Sequence, residues 1–235
     1  MENSESKYDI WHQKQQEKDE LNTPWHQSVI THIDKIEDIE NKRVLEIACG
    51  RGGLANYLNS LPLPPKEIVA CDYSKAAIDI ACTRFGSKGD RITWRVENIQ
   101  ALSFEDDSFD TIISCETLDH LPDPATALKE LYRVLKPGGK LYLTCPNYFN
   151  LFGLWCLYRW CINKPYTEGG QAYVNYALMP SVYRWIRLAG FTINRFHSSD
   201  LVLPVRAHFH FFKKQLKSIF KILGLQTFYI LLKPR

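Results

Sequence analysis

A short apolar run, Val44-Leu45-Glu46-Ile47-Ala48, passes through Cys49-Gly50-Arg51-Gly52-Gly53 into a helical pattern that starts at Leu54. A strand that turns tightly through glycines into a helix is the opening of a βαβ unit, whose crossover packs back on a parallel sheet. The alternation continues along the chain. Residues 67–71, 91–96, 109–114, 140–144, 191–196 and 226–232 also read as strands. Residues 54–58, 74–85, 124–135 and 179–189 read as helices, with Ser74 as a cap, Pro137-Gly138-Gly139 ending the third and Gly190 the fourth. The pattern predicts an α/β fold, a mostly parallel sheet with helices on both faces. Ligands in such folds bind beyond the carboxyl ends of the strands.

At 235 residues and 45% hydrophobic, the chain suits one domain carrying an insertion. Residues 1–40 form a helical cap, with a weakly striped helix over 5–20 and a helix over 25–39; residues 41–235 form the domain. The insertion is residues 147–177, crowded with Tyr148, Phe149, Phe152, Trp155, Tyr158, Trp160, Tyr166, Tyr173 and Tyr176, and it should lie over the carboxyl edge of the sheet. The seven cysteines are odd in number and lack zinc spacing, and the polar residues 1–20 do not form a secretory signal. Free thiols, a cytoplasmic location and no metal follow as expectations. No run of eighteen apolar residues is present.

Net charge is +3 but uneven: residues 1–40 hold ten acids against four lysines, and no acid follows Asp200. Residues 207–223 set Phe209, Phe212, Leu216, Ile219, Phe220 and Leu223 on one helical stripe beside Lys213, Lys214, Lys217 and Lys221. Such a helix either covers the sheet or makes weak peripheral contact with a membrane.

The glycine turn admits two readings. Gly50-Arg51-Gly52-Gly53-Leu54-Ala55 fits the dinucleotide pattern GxGxxG/A of an NAD-type dehydrogenase. Glu46 argues against it, because a carboxylate there would face an anionic pyrophosphate; it suits a cofactor carrying a cationic amino group. Asp72 ends the second strand, where an acid accepts hydrogen bonds from ribose hydroxyls in either case.

Glu46-Ile47-Ala48-Cys49-Gly50-Arg51-Gly52 resembles the (D/E)xGxGxG of the class I methyltransferases that use S-adenosylmethionine (SAM), in particular the quinone-biosynthesis branch. Ala48 departs from that pattern, standing where the first glycine is usual. Asp72, the segment Val96-Glu97-Asn98-Ile99, the stretch Leu102 to Asp110 and the ExxRVLKPGG-like Glu130–Gly139 complete five matches in order. The resemblance covers residues 40–146, with a fainter echo at 178–196, and implies a seven-stranded sheet of order 3-2-1-4-5-7-6 with the seventh strand antiparallel. It implies that Glu46, Ala48, Gly50 and Gly52, Asp72 with Tyr73, Asn98 with Ile99, and Cys115 line the SAM pocket. Asn98 replaces the usual aspartate and keeps an amide oxygen for the adenine amine.

Methyl transfer requires alignment, exclusion of water and, for a hydroxyl or amine acceptor, a base. Cys115-Glu116-Thr117-Leu118-Asp119-His120 follows the fourth strand. His120 is the candidate base and Asp119 its orienting partner, with Glu116 a weaker candidate; alternatively, His120 only shapes the loop. Trp11, His12, Trp25 and His26 could form a lid or ordinary packing, and Tyr148, Trp155 and Tyr176 an acceptor site or a local core. Thr144-Cys145-Pro146 faintly resembles the cysteine segment of RNA cytosine methyltransferases, but their Asp-Ala-Pro-Cys segment is absent, as is (N/D)PP(Y/F). The acceptor is therefore expected to be a small aromatic or lipid-like molecule methylated at oxygen, not a nucleic acid; a SAM-binding protein without catalysis is the remaining alternative.

Overall fold

The computed structural model describes residues 4–14, 20–86, 91–166, 174–198 and 223–235. The predicted helix over 207–223 lies outside them, apart from its last residue.

Seven strands form one sheet of order β3-β2-β1-β4-β5-β7-β6. They are β1 Arg43–Ile47, β2 Glu67–Asp72, β3 Ile92–Val96, β4 Phe109–Cys115, β5 Leu135–Pro146, β6 Thr192–Ser198 and β7 Gln226–Leu232. Strands β3 to β5 pair in parallel, and β7 runs antiparallel to both β5 and β6. Successive side chains of a strand point to opposite faces, so each central strand feeds two cores. Leu45, Ile47, Ile112, Leu141 and Leu143 enter one cluster with Leu128, Leu131 and Ile186; Val44, Ile68, Ile113 and Tyr142 enter the other with Val29, Leu54 and Leu58. Burial on both faces explains why Val44 to Ile47 is almost wholly apolar, and it makes Glu46 conspicuous.

The helices are α1 Ser4–Lys14, α2 Pro24–His32, α3 Gly53–Asn59, α4 Lys75–Phe85, α5 Pro124–Val134, α6 Leu151–Cys161 and α7 Met179–Ala189. Ser74 caps α4 by accepting from Ala77 N at 3.1 Å, Asp123 caps α5, and Gly190 ends α7 at φ 103°. Two boundaries differ from the sequence reading. The helix over 25–39 is broken: Ile33 is extended, and Asp34 starts a separate π turn, Lys35–Ile39, by accepting from Ile36 and Glu37 N–H. The helix over 124–135 ends at Val134, before Pro137-Gly138-Gly139. Leu135 is already extended and pairs with Phe109, so the Pro-Gly-Gly lies within β5 beside a register shift.

Candidate functional site

Strands β1, β2 and β4 end side by side at Ile47, Asp72 and Cys115, and every loop after them converges on one rim. The turn after β1 takes left-handed backbone at Ala48 (φ 60°), Gly50 (φ 55°) and Gly52 (φ 81°). Ala48 thus differs from a family glycine by strained backbone as well as by its methyl volume. At Gly52 a Cβ would also lie 2.3 Å from the Trp94 ring, so this glycine is required twice over. Asp72, 8% exposed, accepts from Gly50 N at 2.9 Å through Oδ2 and from Ser74 N at 2.9 Å through Oδ1. Each oxygen keeps a second lone pair for a ligand hydroxyl.

Glu46 is buried at 3% exposure. Its charge is felt around the turn. Burial first, then Glu46 and Asp72, push the Cys49 thiol well above the ordinary range. Burial, then Glu46 and Glu116, do the same to Cys115. Tyr8 of α1 is raised by burial, then by Asp119 and Asp72. Three thiol and phenol groups on different elements therefore report one negative, water-poor rim. A pyrophosphate would be repelled there and a cation drawn in.

After β4, Glu116 adopts φ 49° and its N–H donates to Thr144 Oγ1 at 3.1 Å. A short 3-10 turn, Leu118–His120, follows. Asp119 is fully buried, and burial pushes its carboxyl far above the ordinary carboxylate range. Its Oδ2 lies 3.2 Å from His120 Nε2, so the predicted pair is in contact. The aromatic insertion closes on this turn from the other side, because Asn175 N donates to Asp119 O at 2.5 Å. Tyr148, 4% exposed, stands edge-on to Tyr176 at 5.1 Å and stacks on Phe152 at 6.1 Å. Phe152 in turn stacks on Trp155 at 5.6 Å. The three predicted aromatics thus belong to one cluster joined to the Asp119 turn.

Helix α1 lies across the rim. Arg51 donates to His12 O at 2.5 Å, and Tyr8 Oη donates to His120 O at 3.4 Å. Asp9 Oδ1 accepts from Ser74 Oγ at 2.5 Å and from Ala76 N at 3.0 Å, which pins α1 to the start of α4. His12 is buried, with the Trp11 ring edge-on at 4.9 Å. Tyr8, Asp9 and Arg51 were not singled out from the sequence. Only Arg51, inside the glycine turn, carried a signal. Trp25 and His26 lie in the first turn of α2, where the His26 ring meets Thr23 Oγ1 at 3.0 Å; α2 packs toward β7. Asn98 is exposed at the end of β3, its Oδ1 accepting from Gln100 N at 3.0 Å, while Ile99 is buried and Tyr73 half-buried. Cys145 is buried in β5, its thiol raised by burial, then by Asp119 and Glu116, which disfavours the thiolate a nucleophile needs.

Comparison with known proteins adds three findings. The family described as Methyltransferase domain matches residues 45–143. The Ubiquinone biosynthesis O-methyltransferase of Xanthomonas euvesicatoria pv. vesicatoria is 28% identical over 155 residues, 65% of this chain and 64% of that protein. The Phthiotriol/phenolphthiotriol dimycocerosates methyltransferase 1 of Mycobacterium ulcerans is 37% identical over 115 residues, 48% of this chain and 40% of that protein. The chain therefore spans less than two thirds of the length of these curated relatives. Among solved structures, a SAM-dependent methyltransferase from Methanosarcina mazei superposes with TM-score 0.65 at 23% identity, covering 88% of this chain and 97% of that one. A chain of the complex between the Haloferax volcanii Trm112 methyltransferase activator and a methyltransferase gives TM-score 0.70 at 19% identity, covering 97% and 98%. These two likenesses concern the fold.

Proposed function

We propose that this chain, which has the fold of the class I methyltransferases and matches the Methyltransferase domain family over residues 45–143, is a SAM-dependent methyltransferase that methylates a small aromatic or lipid-like acceptor at a hydroxyl oxygen. The observation that carries the reading is the negative rim. Glu46 and Asp72 are buried at the ends of adjacent strands, and the Cys49 thiol in the turn after Glu46 is raised by its burial first and then by their charges. The residues fit the cofactor. Glu46 would take its ammonium, Asp72 the ribose hydroxyls, Ile99 and Asn98 the adenine, and the Ala48–Gly52 backbone leaves the room. Bound there, SAM supplies a methyl already activated on a sulfonium.

The chain's own work is alignment, exclusion of water and proton handling. His120 takes the proton of the acceptor hydroxyl, and Asp119 against its ring orients it and stabilises the imidazolium. The cluster of Tyr148, Phe152, Trp155 and Tyr176 offers flat apolar surface to the acceptor. Helix α1, with Tyr8 and His12, closes the rim over both. The relatives' names support this chemistry, one specifying O-methylation in ubiquinone biosynthesis and the other methylation of phthiotriol dimycocerosates. The cationic segment 207–223 is the notional peripheral membrane contact of this scheme.

Calorimetry and methyl-labelled SAM test it together. SAM or its demethylated product should bind and NAD should not, and Glu46→Ala should weaken SAM binding while the fold persists. Label should pass to a catechol or hydroquinone bearing an apolar tail. His120→Ala should lower turnover about 10²–10⁴-fold at nearly unchanged SAM affinity. NAD binding in place of SAM would overturn the cofactor reading, and SAM binding without transfer to any hydroxylated acceptor would overturn the catalytic one.

A further inference from the structure

In the scheme above the acceptor oxygen meets one polar group, the His120 ring. Helix α1 brings a second within reach, because its residues meet all three loops at the carboxyl ends of the central strands. Asp9 Oδ1 accepts from Ser74 Oγ, and Ser74 N donates to Asp72 at the end of β2. One helical turn on, His12 O accepts from Arg51 in the glycine turn after β1. Tyr8, the residue before Asp9, reaches the turn after β4. Its Oη donates to His120 O at 3.4 Å, and its ring stands edge-on to the His120 ring, the centroids 6.4 Å apart. Strand β1 lies between β2 and β4 in the sheet. A side chain rooted beside the Asp72 loop and ending at His120 therefore spans the end of β1.

The methyl has to move along the same line. A cofactor whose ribose is held by Asp72 and an acceptor whose proton goes to His120 can meet only between those two residues, with the reacting atoms within about 3–3.5 Å. The Tyr8 hydroxyl stands in that interval. Burial first, then Asp119 and Asp72, keep the phenol protonated. It can donate a hydrogen bond there, but it cannot compete with His120 for the acceptor's proton. Its bond to His120 O, at 3.4 Å, is long for an O–H···O contact, which usually measures about 2.7–2.8 Å. The backbone oxygen thus holds the hydroxyl loosely, beside the ring that takes the proton. Exchanging that partner for a nearer oxygen that is becoming charged is favourable, because hydrogen bonds to ionised acceptors are shorter and stronger.

We propose that Tyr8 is a catalytic residue, its hydroxyl leaving His120 O for the acceptor oxygen and donating to it through the transfer. Tyr8 and His120 then act on one atom from two sides. The acceptor O–H bond breaks, its proton passes to the His120 ring, and its electron pair stays on oxygen, where the Tyr8 hydrogen bond stabilises the charge. A lone pair of that oxygen forms the new O–C bond while the S–C bond of the sulfonium breaks and its pair goes to sulfur. A methyl ether, a neutral thioether and an imidazolium result, and Tyr8 keeps its own proton throughout. The assignment rests on the hydroxyl acceptor proposed above.

Two catechols of different acidity test it in the full chain. A catechol with a short alkyl tail needs help to ionise, whereas 4-nitrocatechol ionises readily and reports the event by its colour. Tyr8→Phe should lower turnover of the alkyl catechol about tenfold at unchanged SAM affinity. Turnover of 4-nitrocatechol should fall by less than about threefold, since that oxygen gives up its proton without assistance. A second readout needs no turnover. Bound together with S-adenosylhomocysteine, 4-nitrocatechol should ionise about one pH unit higher in Tyr8→Phe than in wild type, the shift that corresponds to a tenfold effect. Equal effects of Tyr8→Phe on the two catechols, or an ionisation that does not move, would reduce Tyr8 to a strut between α1 and the turn and overturn the proposal, while transfer by the wild type upheld the hydroxyl acceptor. A wild type that methylates neither catechol would instead sink the acceptor reading, and the role of Tyr8 would fall with it.

Discussion

Ala48 shows how much one residue can say. A motif comparison registers it as a glycine replaced by a slightly larger residue, and the volume of a methyl looks tolerable. The backbone gives the replacement its cost, since Ala48 is held at φ 60°, where an L-residue is disfavoured by about 1–2 kcal/mol. Glu116 carries the same strain at φ 49° at the end of the neighbouring strand. Strained backbone of this kind persists where the surroundings over-determine it, commonly at ligand rims. Ala48→Gly should therefore raise stability by about 1 kcal/mol, the released strain being partly offset by the greater freedom of glycine in the unfolded chain. Urea unfolding measures it, and SAM affinity should remain within a few-fold because no side-chain contact is removed. A destabilised Ala48→Gly would show that the methyl contributes packing that the strain argument omits. Acid position was legible in the sequence, since Glu46 and Asp72 end their strands as read. Backbone handedness at Ala48 was not, because a one-letter pattern records side-chain identity and leaves out φ.

At the scale of elements, legibility follows burial. The central strands announced themselves because both faces are covered and their sequences are nearly continuous apolar runs. Helix α7 was read to the residue, with its amphipathic stripe and its glycine stop. The helix over 25–39 was misread because its apolar spacing continues through residue 36 while Asp34 diverts the backbone by capping a new turn. Helix α1 was the hardest: its contacts with the site are polar, and a polar contact leaves no periodicity. Its anchor can be tested directly. Asp9 accepts from Ser74 and Ala76 at the start of α4 as an N-capping residue would, though it comes from another helix. Asp9→Ala should cost about 1 kcal/mol. It should also free α1, so that its amides exchange faster and SAM dissociates several-fold faster in stopped flow. Unchanged exchange in α1 would mean that Arg51 and Tyr8 suffice to hold it; faster exchange with unchanged SAM dissociation would remove α1 from the cofactor's path.

Across the whole molecule, the sheet separates two tasks. Its carboxyl ends carry the negative rim, and its amino ends carry a network that touches none of it. There Lys140 Nζ lies 2.6 Å from Asp38 Oδ1, and Thr111 Oγ1 donates to Asp38 O at 2.7 Å. Tyr142 Oη donates to Asp38 Oδ2. Asp38 comes from the π turn before β1, so the network ties the cap region to β4 and β5. None of it was legible in the sequence, because Asp38 and Tyr142 are 104 positions apart and only the parallel crossovers bring them together. Burial and the Asp38 carboxylate both hold the Tyr142 phenol protonated, raising it above its ordinary range, so the hydroxyl is a standing donor. Tyr142→Phe keeps the ring in the core it shares with Val44, Ile113 and Phe228 and removes only that donor. Hydrogen bonds to charged groups contribute about 1.5–3 kcal/mol, so the variant should lose about that much in urea unfolding, as one cooperative transition, since both cores share the strands of a single sheet. SAM affinity should stay within twofold, because the hydroxyl removed is bonded to Asp38 in the turn before β1, even though Tyr142 itself stands in register with Ile113 and Glu46. A fall in SAM affinity that matched the loss of stability would show that the two ends are coupled through β4 and β5, and the division of labour along the strands would have to be abandoned.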